Sequence, residues 1–182
     1  TDIEGRLSAP LHMWRMTTHW LGGLGIVVLF VALMPGWGAG GKRLFQSESA
    51  GPQNSGISPR IRDTAKALLV IYCSITAVQI CALWLAGMPL FDAVTHSFST
   101  IATGGFSIKN GSVGEYNNLA IELTILVGML LAGTNFELFY RFKSEGRGVF
   151  WASPEFRLYA FLVAGVTLLI SFDMLFNTTH GV

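Results

Sequence analysis

Long apolar runs separated by short polar stretches dominate this chain. Four of the runs reach the roughly 20 residues that a helix needs to cross bilayer hydrocarbon. They cover residues 11–34, closing at Pro35; 67–88, which carries no charge; 119–140, interrupted by Glu122, Asn135 and Glu137; and 158–176, with Asp173 near its end. Between the second and third lies "LFDAVTHSFSTIA", which is helix-compatible but about half the spanning length. The pattern predicts an all-α membrane protein with four spans and one half-length helix that enters and leaves on the same side.

Composition agrees: 51% apolar and 13% charged residues lie outside the usual range of a soluble domain. A net charge of +1 is too small to argue for nucleic acid, so no nucleic-acid partner is expected. The distribution of charge is more informative. If the spans alternate in direction, residues 36–66 and 141–157 share a side, and nine of the twelve basic residues fall there. The positive-inside rule makes that side cytoplasmic and puts "STIATGGFSIKN", residues 99–110, on the outer half. Cys73 and Cys81 lie eight apart in one apolar run, a spacing that fits packing rather than zinc or a disulfide framework. The polar start and long first run predict no cleavable signal peptide.

The half-length helix leads into Thr103-Gly104-Gly105. Non-helical backbone at membrane depth is tolerated only where protein covers it or water meets it. Glycine allows positive φ and close approach of carbonyl oxygens to a ligand. The C-terminal end of the short helix adds partial negative charge at the same place, while Asp92 near its start suits the opposite pole. A cation is the ligand these features favour, held by carbonyls that replace its hydration shell.

Four blocks in order, "HWLGGLGIVVLFVALMPGWGAGGKRLFQSESAGP", "GMPLFDAVTHSFSTIATGGFSIKNGS", "GTNFELFY" and "PEFRLY", make the chain resemble the membrane subunit of bacterial Trk-type potassium transporters. These form the TrkH and TrkG branch of the Trk/Ktr/HKT superfamily. The resemblance runs from about His12 to the fourth span. It implies four successive helix–pore loop–helix repeats arranged as a pseudo-tetrameric, potassium-channel-like pore. On that template, residues 1–35 hold the closing helix of repeat one and 36–66 a cytoplasmic connection. Residues 67–142 form a complete repeat two with filter loop 99–110, 143–157 a second connection, and 158–182 the opening helix of repeat three. One pore loop of four is then present, which implies an internal fragment of a longer chain.

Carried over residue by residue, the resemblance implies that Gly105 is the filter glycine. Ala102, Thr103 and Gly104 lend backbone carbonyls, with K⁺ at Thr103, Gly104 and Gly105. Phe106 and Ser107 continue as the "GFS" that packs the loop against its surroundings, with Asp92 also in support. It further implies potassium uptake across a bacterial inner membrane by a multi-pass protein with no covalent cofactor. The implied partners are lipid, the remaining repeats, a second copy in a homodimer, and a cytosolic nucleotide-binding regulatory subunit.

Other features bear different readings. "GWGAGG" has no preceding strand and reads as a flexible connection rather than a phosphate loop. Gly22, Gly23 and Gly25 suit close helix packing. Asn135 could border an inner vestibule; Glu137 could do the same or pair with Arg141 one turn on. His12 and His19 lack a third metal ligand and read as interfacial, and His96 reads as hydrogen-bonded support four residues after Asp92. The alternative to a transporter is a non-conducting membrane interaction module whose glycine loop packs a helix interface. A membrane enzyme is disfavoured because no nucleophile–base or metal constellation is evident.

Overall fold

Every regular element among the described residues is helical. The computed structural model describes residues 3–37 and 59–180, with backbone alone at 26–37, 59–64, 143–145 and 177–180. Most of "GWGAGG", with Lys42 and Arg43, lies outside the described residues. Two compact units divide at Phe136.

In the first unit, α1 (Ala9–Trp37) continues past Pro35, and α2 (Pro59–Leu85) begins earlier than the apolar run. The half-length helix is α3 (Leu90–Ile101), which packs against α1, α2 and α4 (Leu119–Ala132). Two turns set its position. Gly87, at φ +96°, ends α2, with Met88 N–H donating to Leu83 O and Gly87 N–H to Trp84 O. This doubly bonded glycine turn is a Schellman motif, and Pro89 then starts α3 at once. At the other side, Asn118 caps α4 by accepting from Ala120 N–H, and its own amide donates to Ala86 O. One side chain thereby ties the end of α2 to the start of α4.

The buried face of α2 carries Leu68, Tyr72, Thr76, Gln79 and Leu83, one residue per turn. Three of the five are polar, and each is bonded within protein. Tyr72 donates to Trp20 O, Trp20 Nε1 donates to Thr76 Oγ1, and Gln79 Nε2 donates to Thr124 O. Leu69, Val70, Val78 and Trp84 are exposed on the remaining surface. A span facing lipid puts its apolar groups outward, because an unpaired polar group there costs several kcal/mol. Leu83, Met88, Ala93, Ile121 and Ile125 form one core, and Tyr72, Ile101 and Ala132 form another. Cys73 is half-buried and Cys81 exposed, and both are free, so only Cys73 takes part in packing.

The third span departs from the sequence expectation of one continuous helix over 119–140. α4 stops at Ala132, and a new helix, α5 (Phe136–Glu145), follows. Gly133 and Thr134 turn back on the last carbonyls: Gly133 N–H donates to Met129 O, Thr134 N–H to Leu131 O, and Thr134 Oγ1 to Leu130 O. These bonds close the helix end and leave Asn135 exposed in the break.

The second unit holds most of α5, then α6 (Gly148–Ala152) and α7 (Pro154–His180). Phe139, Phe142, Phe150, Trp151 and Phe156 form its aromatic cluster. Among the described residues, two helices are long and apolar enough to cross a membrane unaided, at Ala65–Leu85 and Pro154–Phe176, and the broken pair Leu119–Ala132 and Phe136–Phe142 qualifies only when taken together.

Candidate functional site: a braced loop at the end of a buried half-helix

α3 is apolar by sequence only on average. Thr95, His96, Ser97, Ser99 and Thr100 are all buried in it. Thr95 Oγ1 returns to the carbonyls of Phe91 and Asp92 one turn back, which satisfies a buried hydroxyl without leaving the helix. The Asp92 side chain, in the first turn, accepts from the Tyr116 hydroxyl at 2.6 Å and complements the positive helix end. Burial, with the Asp92 hydrogen bond second, raises the pKa of the Tyr116 phenol. That phenol therefore stays a donor.

The loop begins as a second Schellman turn. Gly104 N–H donates to Ser99 O at 2.8 Å and Thr103 N–H to Thr100 O at 3.0 Å. The left-handed position that glycine normally takes in this motif is filled by Thr103, at φ +55°. A β-branched residue there stores about 1–2 kcal/mol of strain, held only by the surrounding structure. Gly105 follows, also left-handed at φ +71°. Among the described residues nothing donates to the carbonyls of Thr103, Gly104 or Gly105, whereas Ala102 O accepts from Thr103 Oγ1. Thr103 and Gly105 are exposed, and Ala102 and Gly104 half-buried. Strained, exposed backbone with uncommitted carbonyls, at the negative end of a buried helix, is an arrangement chemically suited to cations.

Bracing comes from three directions. Ser99 Oγ accepts from Phe106 N–H. His96 Nδ1 donates to Asp92 O at 2.8 Å; a carbonyl only accepts, so Nδ1 carries the proton and Nε2 accepts from Ser107 Oγ at 2.9 Å. Ser107 Oγ in turn accepts from Lys109 N–H. From α1, Arg15 Nη2 donates to Ser107 O at 2.6 Å, and His19 stacks on Phe106 with centroids 5.2 Å apart. At Gly23 a Cβ would meet Tyr72 Oη at 2.8 Å and Ala102 Cα at 3.0 Å, so α1 reaches the loop only because that side chain is missing. Gly22 and Gly25 have nothing within 4 Å, which narrows the expected close-packing role to one glycine.

The structure thus gathers Ala102, Thr103, Gly104, Gly105, Phe106 and Ser107 in one loop, whereas Asp92 lies at the opposite end of α3, its carboxylate on Tyr116 and its carbonyl linked to Ser107 through His96, and Asn135 lies in the α4–α5 break. Phe106 packs on one face but is 58% exposed overall. The interfacial reading of the histidines changes: His12 is buried and His19 rests on the loop. His96 bonds the Asp92 carbonyl rather than its carboxylate. Arg15 was not singled out by sequence. Its signal was a charge inside an otherwise apolar span, which is costly unless partnered.

The comparisons agree with this architecture. Residues 1–179 match the family described as TrkH, cation transport protein. The Trk system potassium uptake protein TrkH of Salmonella typhimurium is 42% identical over 98% of this chain and 38% of its own. TrkG of Escherichia coli K12 is 37% identical over 95% of this chain and 36% of its own. The crystal structure of the potassium transporter TrkH from Vibrio parahaemolyticus superposes with a TM-score of 0.82 at 36% identity, covering 100% of this chain and 36% of that one. The chain spans little more than a third of the length of these relatives. It belongs to the TrkH family of cation transport proteins.

Proposed function

We propose that the protein containing this chain carries K⁺ across a bacterial inner membrane, with dehydrated ions passing the backbone carbonyls of Ala102, Thr103, Gly104 and Gly105. The observation that carries this reading is the left-handed pair Thr103 and Gly105 flanking uncommitted carbonyls at the end of α3. This loop supplies one quarter of a fourfold cage. The other three loops come from the remaining repeats of the polypeptide, and the exposed side of Thr103 and Gly105 is where they join it. Asn135, exposed at the break, borders the inner vestibule. The assembled protein pairs as a homodimer and takes a cytosolic nucleotide-binding regulatory subunit at its basic face.

The test is K⁺ uptake by a potassium-transport-deficient bacterium that expresses the complete protein, wild type or Gly105→Ser. Within this chain a Cβ at Gly105 meets nothing within 4 Å, so the strain this chain imposes on it comes from the positive φ. About 1 kcal/mol of backbone strain predicts a fall of about fivefold in K⁺ over Na⁺ preference. No rescue by wild-type protein present in the membrane would reject transport and favour an assembly module. Rescue with unchanged selectivity in Gly105→Ser would move the filter elsewhere.

A further inference from the structure

We infer that Arg15 fixes the outer limit of the ion path by taking the Ser107 carbonyl out of the coordinating series. This rests on the transport reading above and adds to it a positioning residue from the preceding repeat. Three observations converge on Ser107. Its carbonyl accepts from the Arg15 guanidinium at 2.6 Å, the short distance expected of a charge-assisted hydrogen bond. Its hydroxyl is held by His96 Nε2 and Lys109 N–H. The same guanidinium lies 6.0 Å from the centroid of the Phe106 ring, which also stacks on His19. Backbone and side chain at 106–107 are therefore clamped between α1 and α3, while the carbonyls just before them, at 103–105, are left uncommitted.

The charge matters as well as the bond. Glu4 and Glu115 pair with Lys109, and among the described residues no carboxylate forms an ion pair with Arg15. A cation at the second lone pair of Ser107 O would sit beside the guanidinium, and the two like charges repel. Phe106 and Ser107 are thus the collar of the loop and not part of its coordinating surface. Arg15 acts on the ion only through that collar.

The experiment uses the complete protein with Arg15→Ala, Arg15→Gln and Arg15→Lys, scored for KM and Vmax of K⁺ and Na⁺ uptake and for amide exchange of the 103–109 segment. Loss of the charge-assisted bond predicts a fall of about tenfold in K⁺ over Na⁺ preference for Arg15→Ala, carried by KM. Arg15→Lys restores most of it, and 103–109 exchanges faster only in the neutral variants. Unchanged selectivity and KM in Arg15→Ala at wild-type membrane level would overturn the inference, as would a loss confined to Vmax and equal in all three. If Arg15→Ala fails to accumulate, Arg15→Gln is scored by the same criteria. Unchanged amide exchange rejects the clamp whether or not the protein transports. Absent K⁺ uptake by wild type, with exchange still sensitive to Arg15, rejects the transport reading and leaves the clamp standing.

Discussion

α3 and α7 make opposite use of the membrane. α3 has twelve residues, seven of them buried, and five of those seven are polar. α7 has 27 residues, and none is buried along its apolar stretch, where Leu168, Leu169 and Phe172 are 60–71% exposed. A helix that meets lipid needs no partner for an apolar surface. A helix loaded with hydroxyls and an imidazole must be surrounded by protein, because each unbonded polar group would cost several kcal/mol in hydrocarbon. Between these two helices burial therefore follows polarity rather than apolarity. α2 shows both behaviours, with Tyr72, Thr76 and Gln79 inward and Val70 and Val78 outward.

The largest test of this contrast pairs two leucines. Leu83 is fully buried against Met88, Ala93, Ile121 and Ile125, and Leu168 is 71% exposed. In lipid or detergent the water-transfer part of a truncation largely vanishes, leaving the cavity and lost dispersion contacts. Leu83→Ala should then cost about 2–3 kcal/mol, at the low end of soluble cores. Leu168→Ala should cost less than about 0.5 kcal/mol in the same chain. Unfolding in mixed micelles measures both. Equal losses would mean that the exposed face of α7 is packed in solution and that the contrast does not hold.

Glycines give a second, smaller test, because sequence treats Gly23 and Gly25 alike and the structure does not. Gly23→Ala drives a methyl group toward the Ala102 backbone, which cannot rotate away, so α1 must back off the loop. Overpacking of this kind predicts a loss of about 1–2 kcal/mol. Gly25→Ala enters open space and should be neutral or slightly stabilising through helix propensity. Thermal unfolding of the two variants side by side decides it. Matching stabilities would remove Gly23 as the reason α1 sits against Ala102.

How much of this was legible follows from the physics of each signal. The spans at 67–88 and 158–176 and the half-length helix were legible because hydrocarbon thickness imposes a length on sequence, and α2, α7 and α3 answer to them. The loop at 103–105 was legible from glycine between apolar runs, but the left-handed Thr103 was not, since nothing local marks a threonine for that position. The break at 133–135 was hidden because an apolar run records hydrophobicity without continuity, although Gly-Thr-Asn is a helix-ending triplet. Bonds such as Arg15 to Ser107, 92 residues apart, have no one-dimensional trace. Gln79 against Gly128 is of the same kind: the missing Cβ makes room for the amide that reaches Thr124 O. Polar residues spaced one per turn within a span, as at 72, 76 and 79, were the available signal for the protein-facing side.

The smallest expected effect lies in the segment that follows the loop, apart from the contrast of buried and exposed helices. Lys109 Nζ sits 2.7 Å from Glu4 and 3.5 Å from Glu115, and Ile3 N–H donates to Asn110 Oδ1, so the start of the chain is fastened to the loop after the collar. The Glu4 hydrogen bond is the main reason that the Lys109 pKa is raised above 10.5. A lysine whose pKa is higher in the folded state contributes stability that is fully present below its unfolded value. That contribution disappears as pH rises through the folded value. Wild type should therefore lose a small increment of stability above about pH 10.5 that Glu4→Gln lacks, because the variant has lost the pair at every pH. Both partners are substantially solvated, so the pair contributes a few tenths of a kcal/mol, less at high salt. Tm of both proteins at pH 8 and pH 11, in low and high salt, measures it. A difference as large at pH 11 as at pH 8, and unchanged by salt, would assign the stability to hydrogen bonding by the residue 4 side chain rather than to charge, and would show that polar fastening governs this face as it governs α3.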